Sequence, residues 1–103
     1  MGLLRKTRTV KVDDELKKHV AEAIDRLGES HHFYRMLSAS KNFLARYADK
    51  CKPISSSETI FLFQPRPIPG TIDISILFIV SPDDLEITLC TLDIVYEDEL
   101  GEN

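Results

Sequence analysis

From Arg5 to Val12 the chain alternates: Thr7, Thr9 and Lys11 fall on one side, Arg8, Val10 and Val12 on the other. A period of two is that of a short strand with one polar face, so residues 5–12 are expected to form one. At Asp13 the period lengthens. Leu16, Val20, Ala23, Ile24 and Leu27 recur at helical spacing and make an apolar stripe. Asp13 or Asp14 is placed to cap that helix, and Asp14 and Glu15 suit the positive end of its dipole. Gly28 is its expected stop, since glycine enters a left-handed cap without steric cost. Ser30 is placed to cap a second helix with a seam of Phe33, Leu37, Ser40, Leu44, Tyr47 and Cys51, widened by Met36 and Phe43. Pro53 and the serines at 55–57 end it.

The second half carries strand patterns only. Residues 58–63 (ETIFLF) form a short apolar run, and the proline-rich 64–70 (QPRPIPG) cannot enter a central ladder. Residues 71–80 start in strict alternation and become continuously apolar at Leu77–Val80, the pattern of a strand covered on both faces. SPDD at 81–84 is a turn, and 85–96 returns as the partner strand. The apolar phase of that strand slips between Leu89 and Leu92, which predicts a bulge there or burial on both faces. Residues 97–103 read as a solvated acidic tail. The order β-α-α-β-β-β belongs to the α+β class. It predicts a strand–helix–helix unit over 1–52 and a β-rich unit over 53–96 forming a three-stranded antiparallel sheet; separate units and one shared core both fit.

Charge divides the same two halves. Residues 1–52 hold 12 Lys/Arg against 7 Asp/Glu, net +5, and residues 53–103 hold 1 against 10, net −9. The first half suits a polyanion and the second a basic partner, or the two surfaces attract each other. No apolar run nears the roughly 18 residues of a membrane span, and MGLLRK lacks the features of a secretory signal. The two cysteines, Cys51 and Cys90, have no paired spacing, which fits a cytoplasmic protein with buried thiols. No Ser/His/Asp spacing, phosphate loop or Cys-x-x-Cys is present, so neither an enzyme nor a cofactor is expected. Adjacent residues on a helix point about 100° apart, so His31 and His32 are not expected to converge on a metal, and His19 lies on the first helix's polar side. Asp83, Asp84 and Glu86 suit a turn better than a cation. Tyr34 and Tyr47 are expected in the core.

The strand RTVKV running straight into an acid-capped helix, then LKKHVAEAIDRLGES and HHFYRMLSASKNFLARY, resembles the ribbon–helix–helix DNA-binding proteins of the Arc/MetJ type over residues 7–48. The resemblance implies a homodimer whose paired strands enter the major groove of double-stranded DNA. Thr7, Thr9 and Lys11 would face base edges, Arg5 and Lys6 would neutralise phosphates, and the backbone at Ser30 and His31 would clamp one. It departs at Glu29, beside that clamp, at a one-residue offset near Met36–Leu37, and in the β-rich second half. These features predict a dimeric transcriptional regulator whose acidic half binds a partner or extends the dimer. The order β-α-α-β-β-β is also similar to the RelE/ParE-like toxins. The ribonucleases among those rely on basic residues in the later strands, and here only Arg66 follows Lys52. The alternative is therefore an acidic protein-interaction module, of inhibitor or immunity type, on a RelE/ParE-like fold without the catalytic residues.

Overall fold

The computed structural model describes residues 7–54 and 59–100. In chain order the elements are β1 (Thr9–Val12), α1 (Asp14–Leu27), α2 (Ser30–Tyr47), β2 (Lys52–Pro53), β3 (Ile60–Phe63), β4 (Thr71–Val80), β5 (Glu86–Tyr96) and α3 (Glu97–Leu100), with a 3-10 turn at Ala48–Lys50. The α+β class holds, but the sheet is not the expected three-stranded one. All five strands form one mixed sheet in the order β1-β5-β4-β3-β2. β1 pairs in parallel with β5, Val10 opposite Ile87 and Val12 opposite Leu89, while the other pairs are antiparallel. Two residues, Lys52 and Pro53, form an edge strand that the sequence pattern gave no sign of. A proline is tolerated there because an edge strand need not donate on its outer side.

The helices cover one face of the sheet. Leu16, Val20 and Ala23 of α1 and Phe33, Met36 and Leu44 of α2 share a single cluster with Ile74, Ile76, Phe78, Ile87, Leu89 and Leu92 of the two long strands. The α1 stripe is buried as its spacing requires. It ends at Gly28, whose φ of 71° is left-handed and whose N–H donates to the Ile24 carbonyl at 2.6 Å. Asp13 takes the N-cap position in extended conformation, but its side chain makes no capping bond. In α2 the seam is Phe33, Met36, Ser40, Leu44 and then Ala48; Met36 replaces Leu37, which is half-buried, and Tyr34 is 61% exposed. Ser40 lies in the seam because its hydroxyl donates to the Met36 carbonyl at 2.8 Å, leaving no unsatisfied polar atom.

The register between β4 and β5 shifts twice, once at Ile72, between Thr71 and Asp73, and once between Leu77 and Phe78. Leu77 pairs with Thr91 and Phe78 with Leu89, so Cys90 is the extra residue of a bulge, where the apolar phase of β5 slips. The chain reaches β4 through the proline loop. Thr71 closes this loop: its hydroxyl accepts from the Ile68 N–H at 3.0 Å and donates to the Ile68 carbonyl at 2.8 Å. Gly70 has φ of 92°, and a Cβ there would lie 3.0 Å from Leu27 Cδ2, so both conformation and space select glycine. At the C-terminal end, residues read as a solvated tail begin with the helical turn α3. Arg26 at the end of α1 holds it, lying 3.7 Å over the Tyr96 ring and 3.0 Å from Asp98.

Candidate functional site

The segment that supplied most of the sequence-based site residues is an integrated part of the sheet. Arg5 and Lys6 lie outside the described residues. Arg8, one residue before β1, donates through Nε and an Nη to the two Asp84 carboxylate oxygens at 2.9 and 3.1 Å. Its side chain is only 10% exposed, and the Asp84 hydrogen bond holds its pKa above the usual value. The Arg8 N–H also donates to the Ala45 carbonyl of α2. Thr9 and Lys11 alternate onto the uncovered face, where Lys11 Nζ lies 2.9 Å from Glu86. Thr7 is exposed ahead of the strand, and Ser30 and His31 are exposed in the first turn of α2.

This arrangement corrects the ribbon–helix–helix reading. A ribbon strand leaves its backbone groups for the same strand of a second copy, whereas here the Thr9 and Asp13 N–H groups donate to Leu85 and Leu89 of the same chain. The need of β1 for a pairing partner is thus met by β5 inside the fold, not by a second copy. Thr9 and Lys11 are paired with Glu86 and Thr88 of β5, and Lys11 is ion-paired with Glu86.

The uncovered face of the sheet gathers what the core does not use. Ile79 and Ile60 are paired, as are Leu77 and Leu62, and together they make an apolar strip across β4 and β3. Ile79 is 39% exposed and the other three are half-buried, so Leu77–Val80 is not covered on both faces as its sequence suggested. Thr88 and Thr91 of β5 border the strip. Asp93, opposite Ser75, and Asp73, opposite Val95, lie at one end, and Lys52, opposite Leu62, lies at the β2 margin. On β4 and β5 the charged residues are Asp73, Glu86 and Asp93; neither strand carries a Lys or Arg.

Four further basic residues line two clefts beside the sheet. A cleft of about 430 Å³ between α2 and the proline loop has Met36, Phe43, Phe63 and Ile68 in its lining, with Arg35 and Arg66 beside them. Phe43 stacks on Phe63 at 5.2 Å between ring centres, and both rings line this cleft. Lys50 and Lys52 line a neighbouring cleft beyond those two rings.

The acidic turn between β4 and β5 is fully engaged. Asp83 accepts from the Ser81 hydroxyl at 2.6 Å and from the Leu85 N–H at 3.1 Å, and Asp84 holds Arg8. Asp84 has φ of 63°, a left-handed position that aspartate tolerates. Burial pushes both thiols, Cys51 and Cys90, above the usual cysteine pKa, the opposite of what a nucleophilic cysteine needs. His31 and His32 do not diverge as expected; their ring centres are 4.0 Å apart.

No protein-family model matches the sequence, and no curated protein matches it. Solved structures do. A chain of the toxin–antitoxin complex RelBE2 from Mycobacterium tuberculosis superposes with a TM-score of 0.60 at 15% identity, over 85% of this chain and 91% of that one. A chain of the archaeal RelE–RelB complex from Pyrococcus horikoshii gives 0.56 at 18% identity, over 85% and 94%. The fold is RelE-like, which also overturns the ribbon–helix–helix assignment and the DNA-binding regulator built on it. Among the described residues, no helix is long and apolar enough to cross a membrane.

Proposed function

We propose that this chain is a protein-binding module on a RelE-like fold, docking a partner protein through the uncovered face of its sheet and not cleaving RNA. The observation that supports this is the composition of that face. In the ribonucleases of the resembling group the later strands supply the basic residues, and here β4 and β5 supply only carboxylates. Carboxylates repel a phosphodiester and stabilise no developing negative charge on it. An apolar strip left half-exposed beside two aspartates is instead the composition of a contact surface. The partner that fits it presents an apolar patch with a cationic group toward Asp73 and Asp93. A cytoplasmic setting fits the two free thiols. That both solved structures come from two-protein complexes gives the reading its class of partner.

The test pairs capture with catalysis. Tagged protein is used to isolate a defined partner, which is then expressed and titrated against wild type and against Leu77→Asp. The substitution should weaken binding at least tenfold while the far-ultraviolet circular dichroism stays unchanged. The wild type should leave messenger RNA intact in a translating extract. RNA cleavage by the wild type that Lys52→Ala abolishes would overturn the proposal, as would a partner bound equally well by Leu77→Asp.

A further inference from the structure

At the α1–α2 junction the chain brings together three groups: Glu29 and His32, spaced i, i+3, and the His31 ring beside that of His32. Gly28 turns the backbone through the left-handed region, and Glu29 follows with φ −101° and ψ 54°, outside the helix. Glu29 occupies the N-cap position of α2 but makes no side-chain capping bond, so its carboxylate is not spent on the helix N–H groups. It turns toward His32, whose Nε2 lies 3.5 Å from Glu29 Oε1. The His31 ring sits over that of His32, tilted by 37°. One ligand atom from each of Glu29, His31 and His32 can be chosen so that all three lie within 4.8 Å of one another.

We infer that Glu29, His31 and His32 form a binding site for a divalent first-row metal ion, with zinc as its best-suited occupant. Two imidazole nitrogens and a carboxylate oxygen are the donor set that zinc accepts, and bonds of about 2.0–2.1 Å place tetrahedral ligands about 3.4 Å apart. The step from the observed spread to that separation is within the reach of side-chain rotation, since His31 is exposed and Glu29 and His32 are half-buried. The positive end of the α2 dipole, about half a charge, opposes a cation here. The full charge of Glu29 outweighs it. Three protein ligands leave a fourth position for water, the pattern of an open zinc site. Carboxylate and imidazole ligands also exclude the softest ions, which select thiolates. The inference does not depend on the protein-binding role, because none of the three groups lies on the sheet.

Zinc titration of the full chain, read by calorimetry and by competition with a chromophoric chelator, tests the site. One equivalent should bind saturably. His31→Asn and His32→Asn should each weaken binding more than tenfold, and Glu29→Gln by a smaller factor. His19→Asn and Cys51→Ser should leave it unchanged, since neither residue belongs to the cluster. Circular dichroism identifies any variant that has unfolded, and for such a variant the histidine ring signals in the nuclear magnetic resonance spectrum of the wild type give the answer. In that spectrum zinc should move two of the three histidines and leave His19 in place. The proposal is overturned by no saturable binding to the wild type, by binding that survives in the His31→Asn, His32→Asn double variant, or by binding that Cys51→Ser removes.

Discussion

The two faces of β4 carry side chains of the same kinds and put them to opposite uses. On the covered face Ile74, Ile76 and Phe78 have no exposed surface at all, and α1 and α2 seal them. On the other face Leu77 and Ile79, one residue away from Phe78 on either side, remain accessible. Hydrophobicity alone does not distinguish the two sets; what lies across from them does. The covered set stabilises the fold, and the uncovered set is left accessible to water. The largest test of that division is Phe78→Ala. Phe78 is wholly buried and stacked on Phe61 at 5.5 Å, so removing the ring should cost about 3–5 kcal/mol, measured by chemical denaturation. A loss below about 1 kcal/mol would mean that the two faces are not energetically distinct.

The same contrast recurs in the ion pairs on either side of β1. Arg8 is 10% exposed and meets Asp84 with two parallel hydrogen bonds, tying the start of the sheet to the β4–β5 turn. Arg8→Ala should destabilise the protein by about 1–2 kcal/mol, since the two charged hydrogen bonds are strong but Asp84 is 55% exposed and water screens the pair. Asp84→Asn should lose less, because an amide oxygen still accepts one of the two bonds. Equal losses in both variants would show that the guanidinium stem, not the bond, matters.

How much of this was legible in the sequence follows from how local each feature is. The α1 stripe, the Gly28 stop, the limits of β4 and the slip in β5 at Cys90 depend on neighbouring residues, and the spacing reveals them. The partner of β1 does not. Alternation at 7–12 says that one face is polar and that a neighbour must exist; it is silent on whether the neighbour is a second copy or β5, some 77 residues further along at Thr9–Glu86. The choice of Met36 over Leu37 is of the same kind. Phe33, Ser40 and Leu44 fit either seam, and only the orientation of α2 on the sheet decides. The Glu29–His31–His32 cluster was hidden by assuming regular helix geometry at its first turn, where Glu29 is not helical. The signal that could have pointed to it is the Gly28-Glu29 pair itself: a left-handed stop followed by a residue that caps poorly.

The smallest effect expected is the most direct test of whether the uncovered face is free. Lys11 and Glu86 form an ion pair at 2.9 Å, but their side chains are 60% and 41% exposed. A pair so open to water gains little from its short distance, because the solvent screens the attraction and both side chains lose rotamer freedom. Lys11→Ala should therefore change the stability by no more than about 0.5 kcal/mol, and raising the salt concentration should shrink that difference. The contrast with Arg8, three residues earlier on the same segment, is then one of cation burial and of bond number: Arg8 is 10% exposed and makes two bonds to Asp84, whereas the exposed Lys11 makes one contact with Glu86. A loss above about 1 kcal/mol on Lys11→Ala would show that this face is covered in solution. Its apolar strip would then be part of a folded interior, and the partner would have to dock elsewhere.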